Sequence, residues 1–444
     1  MSERRTTPIR DHQRHPSRAA FIERVFGHLP RRDQRRWAET YVEGLLGTPG
    51  RKSVRRMAEA LAAAPTASQS LHQFVSESPW AWDPARQALT HWIEERTSVR
   101  AWSLGTVFAH KRGDHSVGVH RRFDGALGRV VNGQVGMGIQ LSTCCGDLPV
   151  DWRLHLPESW CHDPALRRRG RIPDTARHLP LWRHALDLVD TLAARTDPRP
   201  VLADGVETED AAALLSGLGE RGHRFLVTVP PGLTLLAGPH LDDRGRPRSP
   251  STAERLCAQD HLVGRGSSLR LPRPLSLRAP GPGLVPVPDV DAATGERPGG
   301  RVGGAVRVGP ARRAVRGAGQ LWTLSGPVHL PGARHSLRLL AQWPTRGSRP
   351  VRIWATDPAR VAPEGLLPLV EAQSAAVTSM HALREDFGLS DFEGRSFPGW
   401  HRHTTLVSAA RAWHLRAGAG EHAHGWGGGF GGGDGHAAPV RVGC

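Results

Sequence analysis

The chain is short of several things, and each shortage excludes something. Lysine stands only at Lys52 and Lys111 and tyrosine only at Tyr41. Acids are scarce: 42 Asp and Glu face 59 Lys and Arg, a formal charge of +17 that is almost all arginine. Guanidinium groups match phosphate oxygens in paired geometry, so the excess favours a polyanionic partner. Nucleic acid comes first and an anionic membrane surface second; Arg-for-Lys drift in a GC-rich genome would change the residue type but not the net charge. No apolar run approaches the roughly 20 residues of a membrane span. The Arg- and His-rich N-terminus has no apolar core, so it does not read as a secretory signal. Cys144, Cys145, Cys161, Cys257 and Cys444 show no paired metal spacing and leave one over. Reduced thiols in a cytoplasm are expected.

What is present is enough for two or three structural units in 444 residues. Residues 1–17 are polar and basic, and disorder is expected there. Residues 18–98 carry helical apolar spacing: Phe21, Val25 and Phe26; Trp37, Tyr41, Leu45 and Leu46; Val54, Met57, Ala58 and Leu61; Leu71, Phe74 and Val75; Leu89, Trp92 and Ile93. Arg51, Lys52, Arg55 and Arg56 fall opposite one of these stripes. They form a candidate DNA-binding face or a plain solvated one.

From Arg100 the pattern turns to strands, expected over 101–109, 116–122 and 132–143, then a short one through 149–157. A basic run, Arg167-Arg168-Arg169-Gly170-Arg171, precedes an amphipathic helix at Trp182–Leu192. Then comes Val201-Leu202-Ala203-Asp204-Gly205, an apolar run ending in a carboxylate. A strand delivering an Asp at its carboxyl end can hold a metal or a catalytic acid in an α/β fold; the alternative is an Asp capping the next helix. A helix over about 208–220 and a strand at 225–229 follow. Three strands, helix, strand, helix and strand is the order of a ribonuclease H-like core. Residues 231–345 read as a Pro-, Gly- and Arg-rich, β-containing insertion, 346–416 as the second part of the core with long helices over about 364–387 and 400–415, and 417–444 as a Gly- and His-rich low-complexity tail.

Several blocks carry a resemblance. Lys111 to Val119, Gly125 to Gly128, Asn132 to Val135, Trp152 to Pro157 and Phe392 to His403 resemble the bacterial insertion-sequence transposases with a DDE active site, of the cut-and-paste kind. The likeness covers roughly 20–230 and 338–415. It implies an α/β, ribonuclease H-like core with a β-rich insertion and an N-terminal helical domain over 18–98. It implies a core in two parts, 99–230 and 346–416. It also implies three carboxylates holding two divalent ions, Mg²⁺ by preference, for strand cleavage and transfer. Double-stranded DNA is the implied partner, with a homodimer on DNA as a possible assembly and no membrane. Lys111, Arg112, Arg167, Arg168, Arg169, Arg384 and Arg395 join the basic residues above as candidate DNA contacts.

The chain departs from the family's pattern at the acids. The second matches Asp204, the candidate catalytic and metal-binding residue. The first should lie shortly before the Lys-Arg-Gly turn, where the chain has Gly105 and Thr106. The third should lie seven residues before Arg384, which is Val377; Glu371 and Glu385 are out of register with it. One carboxylate of three is therefore matched, and weak or absent Mg²⁺ binding is expected. A catalytically impaired transposase-family DNA-binding protein is the leading expectation. The alternative is a domesticated, non-catalytic DNA-binding regulator. A nuclease using Asp114, Asp124 or Asp151 is a third, weighed against turn formation for the first two and a surface strand position for Asp151.

Overall fold

The computed structural model describes residues 17–61, 66–124, 127–206, 210–238, 249–263, 267–270, 285–286, 320–323, 326–343, 349–357 and 363–424. The expected N-terminal tail, most of the expected insertion and the end of the chain lie outside them. The helical region is α1 (Arg18–Phe26), α2 (Arg32–Gly47), α3 (Val54–Ala60), α4 (Ala67–Ser76) and α5 (Asp83–Glu94). Ser17 and Ser53 accept main-chain N–H groups at the starts of α1 and α3, as serine caps do. The stripes close on one another: Phe21, Phe26, Leu45, Met57, Leu71, Leu89 and Trp92 are buried.

The core follows as β1 (Val99–His110), β2 (His120–Asp124), β3 (Arg129–Thr143), β4 (Gly146–Leu154), α6 (Glu158–His162), α7 (Pro164–Gly170), α8 (Leu181–Ala193), β5 (Val201–Asp204), α9 (Ala211–Glu220) and β6 (Phe225–Val229). Strand β3 is antiparallel to both β1 and β4, whereas β5 is parallel to both β1 and β6. The spatial order β4-β3-β1-β5-β6 is that of a ribonuclease H-like sheet. Close packing fixes glycine in β3: a Cβ at Gly138 would lie 2.5 Å from the Trp152 ring, and one at Gly136 2.7 Å from Trp400.

Beyond β6 come β7 (Thr234–Ala237), β8 (Ser251–Thr252), α10 (Ala253–Val263), β9 (Ser267–Arg270), β10 (Val285–Pro286), β11 (Gln320–Thr323), β12 (Val328–His329), β13 (Ser336–Trp343), β14 (Arg352–Thr356), α11 (Pro363–Glu385) and α12 (Phe397–His424). Strand β14 pairs antiparallel with β6, and β13 with β14. The central sheet thus runs on into β13, a stretch expected to belong to the insertion.

Two local expectations change. The strand expected from 116 starts at His120. Gly118, at φ +73°, turns the chain so closely against His155 that a Cβ would meet its carbonyl oxygen at 2.9 Å. The basic run forms the last turn of α7, closed by Arg171 in the left-handed conformation.

Helix α12 joins the two halves. It packs on β4 and on α2 and α4, and it buries polar residues: His401, His403, Thr404, Thr405 and Ser408. Their partner from the helical region is Arg86 of α5, itself buried. Its guanidinium donates to Asp151 Oδ1 at 2.6 Å, Thr405 Oγ1 at 2.9 Å, the Trp152 and His401 carbonyls at 3.1 Å and Thr404 Oγ1 at 3.2 Å. Beside it, His403 donates Nε2–H to the Gly388 carbonyl at 3.0 Å and accepts the Tyr41 hydroxyl at Nδ1, 2.9 Å away.

Candidate active site

Asp204 ends a strand whose first three residues are buried while it is only half-buried. Its neighbours follow from register. Trp102 pairs with Val201 and Ser103 with Leu202, which sets Gly105 of β1 beside Asp204. On the other side Asp204 pairs with Thr228 of β6. Side chains alternate along a strand, so Leu202 and Asp204 share one face. Leu202 packs with Leu366 and Val370 of α11, so that face lies under the helix. Asp204 Oδ1 accepts the Val206 N–H at 3.0 Å, which tightens the turn out of the strand. It does not cap α9; Asp210 does, through Ala213 N–H at 2.9 Å.

Helix α11 closes the site from above. Gln373 donates to the Ala203 carbonyl at 2.5 Å and to Thr228 Oγ1 at 3.0 Å, and accepts the Trp354 indole N–H at 2.6 Å. Met380 lies over Gly105, where a Cβ would meet its terminal methyl at 2.9 Å. Val377 sits one helical turn from each, on the same flank, and is 45% exposed. Gly105 and Asp204 thus lie side by side under α11, with Val377 one turn from Gln373 and one from Met380. Thr106 alternates to the opposite face of β1. Neither Gln373 nor Met380 was singled out from the sequence, although each is one turn from Val377.

The other acids are occupied structurally. Asp151 is buried, against the expectation of a surface strand residue; it holds Arg86 at 2.6 Å and Arg153 at 3.0 Å. Burial opposes its ionisation, yet the two guanidinium groups prevail and its pKa is lowered. Asp124 faces His110 Nε2 at 2.8 Å and accepts Leu127 N–H at 3.2 Å in a turn. Asp114 is exposed in the Lys-Arg-Gly turn.

The basic residues divide into two groups. Arg55, Arg56, Arg112, Arg168, Arg169 and Arg395 are exposed. Arg51 is exposed but faces Glu393 at 2.9 Å. Lys52 is a correction: it is buried, its ammonium bonds the Thr48 carbonyl, and its main-chain N–H bonds Asp391. Lys111 is another. Its ammonium donates to the Phe392 carbonyl at 2.6 Å and the Ser390 carbonyl at 3.3 Å, and burial pulls its pKa down to about 8. Arg167 likewise spends its guanidinium on the carbonyls of Cys161, Pro173 and Ala176. Arg384 is half-buried near the end of α11. Arg112, Arg169 and Arg395 lie on neighbouring segments, because Arg169 donates to the Asp114 carbonyl and Val117 N–H to the Arg395 carbonyl.

A pair of divalent ions needs several anionic oxygens held in fixed geometry. Asp204 has glycine on one side, threonine on the other, and valine, glutamine and methionine above it. That donor set does not fit a two-metal centre, and no group of three His, Cys, Asp or Glu among the described residues is arranged to hold a metal ion. No helix among the described residues is long and apolar enough to cross a membrane.

No curated protein matches the chain. Residues 24–299 match the family of DDE superfamily endonucleases, a span that includes β1 and Asp204 and stops short of α11. That is well over half of the sequence, and the sheet order agrees with it. The chain therefore belongs to the DDE superfamily endonucleases, DNA-acting enzymes of the DDE transposase type that generally use divalent metal ions.

Proposed function

We propose that this is the transposase-family protein of an insertion sequence, one that binds duplex DNA and is impaired in cutting it. One observation carries the impairment. The reading is supported by the register of β1 against β5, which puts Gly105 beside Asp204, by Met380 lying over Gly105, and by Val377 being the α11 residue that the resemblance matches to the third acid. Asp204 alone can hold one Mg²⁺ weakly with water completing its shell, but it cannot bridge and fix two.

Binding is supported by the +17 charge and by the exposed arginines. Arg112, Arg169 and Arg395 come from three separate segments, so a duplex laid across them would touch both strand-bearing and helical parts. A domesticated, non-catalytic regulator is the second reading; Met380 filling the space over Gly105 favours it.

The test is divalent-dependent nicking and strand transfer on the element's own ends, beside a duplex-binding assay. Binding with no cleavage above the Asp204→Ala level is expected. Robust cleavage abolished by Asp204→Ala would overturn the impairment. Absence of salt-sensitive duplex binding would overturn the function.

A further inference from the structure

The turn that joins β3 to β4 carries two adjacent cysteines. Thr143 pairs with Gly146 across the hairpin, and Cys144 and Cys145 lie between them. The two sulfurs are 3.6 Å apart, with Cys144 exposed and Cys145 half-buried. The turn is held on both sides of them. Thr143 Oγ1 accepts the Cys145 N–H at 3.1 Å and donates to the Gly146 carbonyl at 2.8 Å. Leu415 of α12 backs Gly146, where a Cβ would lie 3.2 Å from its methyl. The sulfurs are too far apart to be bonded, since a disulfide is about 2.05 Å long. The backbone also disfavours closing one. Neighbouring Cα atoms stand about 3.8 Å apart across a trans peptide, whereas bridged cysteines usually need about 4.4–6.8 Å. One further atom placed between the sulfurs removes that demand.

We propose that Cys144 and Cys145 form a dithiol site that captures a trivalent organoarsenical, R–As=O, by bridging both sulfurs through the arsenic. Two As–S bonds form and the As=O bond breaks. Both thiol protons leave with the oxygen as one water. Arsenic stays trivalent and sulfur is not oxidised, so no oxidant or reductant is needed. Thiol sulfur is a soft donor and suits a soft acceptor. Reactants and product are all neutral, so the site needs no counter-charge. A divalent metal ion would need further protein donors, and no group of three His, Cys, Asp or Glu among the described residues is arranged to supply them. The arsenical brings its own carbon substituent as the third bond and needs only the two sulfurs. Once one As–S bond has formed, the second closes within a turn that is already built, at high effective concentration. Thr143 pairs with Val99 at the start of β1, whereas Asp204 lies beside Gly105 farther along that strand. The dithiol is therefore separate from the Asp204 site and independent of whether the chain cuts DNA.

The experiment uses the full chain, reduced with a phosphine and kept from air, and titrated with phenylarsine oxide. Intact mass reports the adduct, and a colorimetric thiol reagent reports the thiols left. At equimolar reagent one phenylarsenic group per chain is expected, with a mass gain short by one water and two thiols lost. An added dithiol should strip it, and glutathione, a monothiol, should not. Cys144→Ser and Cys145→Ser should each need at least about a hundredfold more reagent for the same occupancy, because the second bond is gone. Cys161→Ser made together with Cys444→Ser should behave as the wild type; Cys257 is buried in the core and is left in place. Undiminished capture by either the Cys144 or the Cys145 variant, loss of capture in the Cys161 and Cys444 variant, or no capture by the reduced wild type would overturn the site.

Discussion

The seam around Arg86 and the site around Asp204 treat buried charge in opposite ways. At the seam one guanidinium is enclosed with a carboxylate, two carbonyls and two hydroxyls, and every partner is present. At the site, among the described residues, Asp204 lies beside Gly105 and Thr228 under Gln373 and Met380 of α11. Both arrangements are stable for the same reason. A buried charge is tolerable only with its partners, and removing one partner alone is strongly unfavourable. Three carboxylates crowded together repel one another until cations arrive. With Gly105 under Met380, that repulsion is avoided beside Asp204. The comparison separates scaffold from chemistry: the charges that join the halves are enclosed with their partners, whereas the proposed impairment concerns only the charges that would hold two ions.

The comparison breaks most easily at Arg86. Arg86→Met should leave Asp151 enclosed with Arg153 and the Trp152 N–H but without its buried guanidinium, and should cost about 3–5 kcal/mol by denaturant unfolding. Asp204→Ala should cost less, about 1 kcal/mol, since Asp204 is half-buried and its bond to the Val206 N–H closes a turn. Equal losses would mean that the site carries a structural load like that of the seam.

Acid should strike the same seam. His403 is buried, accepts Tyr41 and donates to Gly388, and burial lowers its pKa to about 4. His401, enclosed beside Arg86, is lowered well below its ordinary value, again by burial first. The unfolded chain takes up these protons near pH 6.5 while the folded chain refuses them. Stability is therefore full above about pH 6.5 and falls as pH drops toward 4, with His403 alone worth about 3 kcal/mol. Unfolding free energy measured from pH 8 to 4 should show this slope, and His403→Gln should flatten it. A pH-independent stability would contradict the enclosed, neutral imidazole.

Legibility followed the range of the interactions. Strand β5, its terminal Asp204 and the helical stripes from Phe21 to Ile93 were readable because apolar periodicity is a local signal. The sheet order was readable from the order of elements. Val117-Gly118-Val119 reads as strand, but the turn there is set by His155, far along the chain. The pairing of β14 with β6 and β13 is equally non-local. Lys52 and Arg86 look like surface cations by type; their partners, Asp391 and Asp151, lie 339 and 65 residues away. Arg86 did leave one trace, since it falls on the same stripe as Leu89 and Ile93. Met380 over Gly105 shows only when strand and helix are put together.

The site can be pushed back toward charge. Gly105→Asp puts a Cβ against the Met380 methyl and a second carboxylate beside Asp204. Crowding and repulsion should cost about 1–3 kcal/mol. Adding Val377→Glu and Met380→Ala should relieve the crowding and create a site whose melting temperature rises with Mg²⁺, while the wild type stays unresponsive. A triple variant indifferent to Mg²⁺ would show that the three positions do not converge.

The smallest effect concerns which basic residues face outward. Each phosphate neutralised adds about 0.9 to the log–log salt slope of duplex binding. Arg112, Arg169 and Arg395 are exposed, so each replaced by Ala should lower the slope by roughly that amount. The Lys111 ammonium holds the Ser390 and Phe392 carbonyls, and the buried Lys52 ammonium holds the Thr48 carbonyl while its main-chain N–H bonds Asp391. Lys52→Met should therefore lower stability and leave the slope unchanged, once binding is measured under conditions where the variant is folded. Lys111→Met should do the same. It should also remove the folded state's aversion to an ammonium, which in the wild type makes stability rise between about pH 8 and pH 10.5 as the unfolded chain retains a proton the folded chain has lost. A slope that falls for the lysines as much as for the arginines would place all five on the DNA and dissolve the division between inward struts and outward contacts.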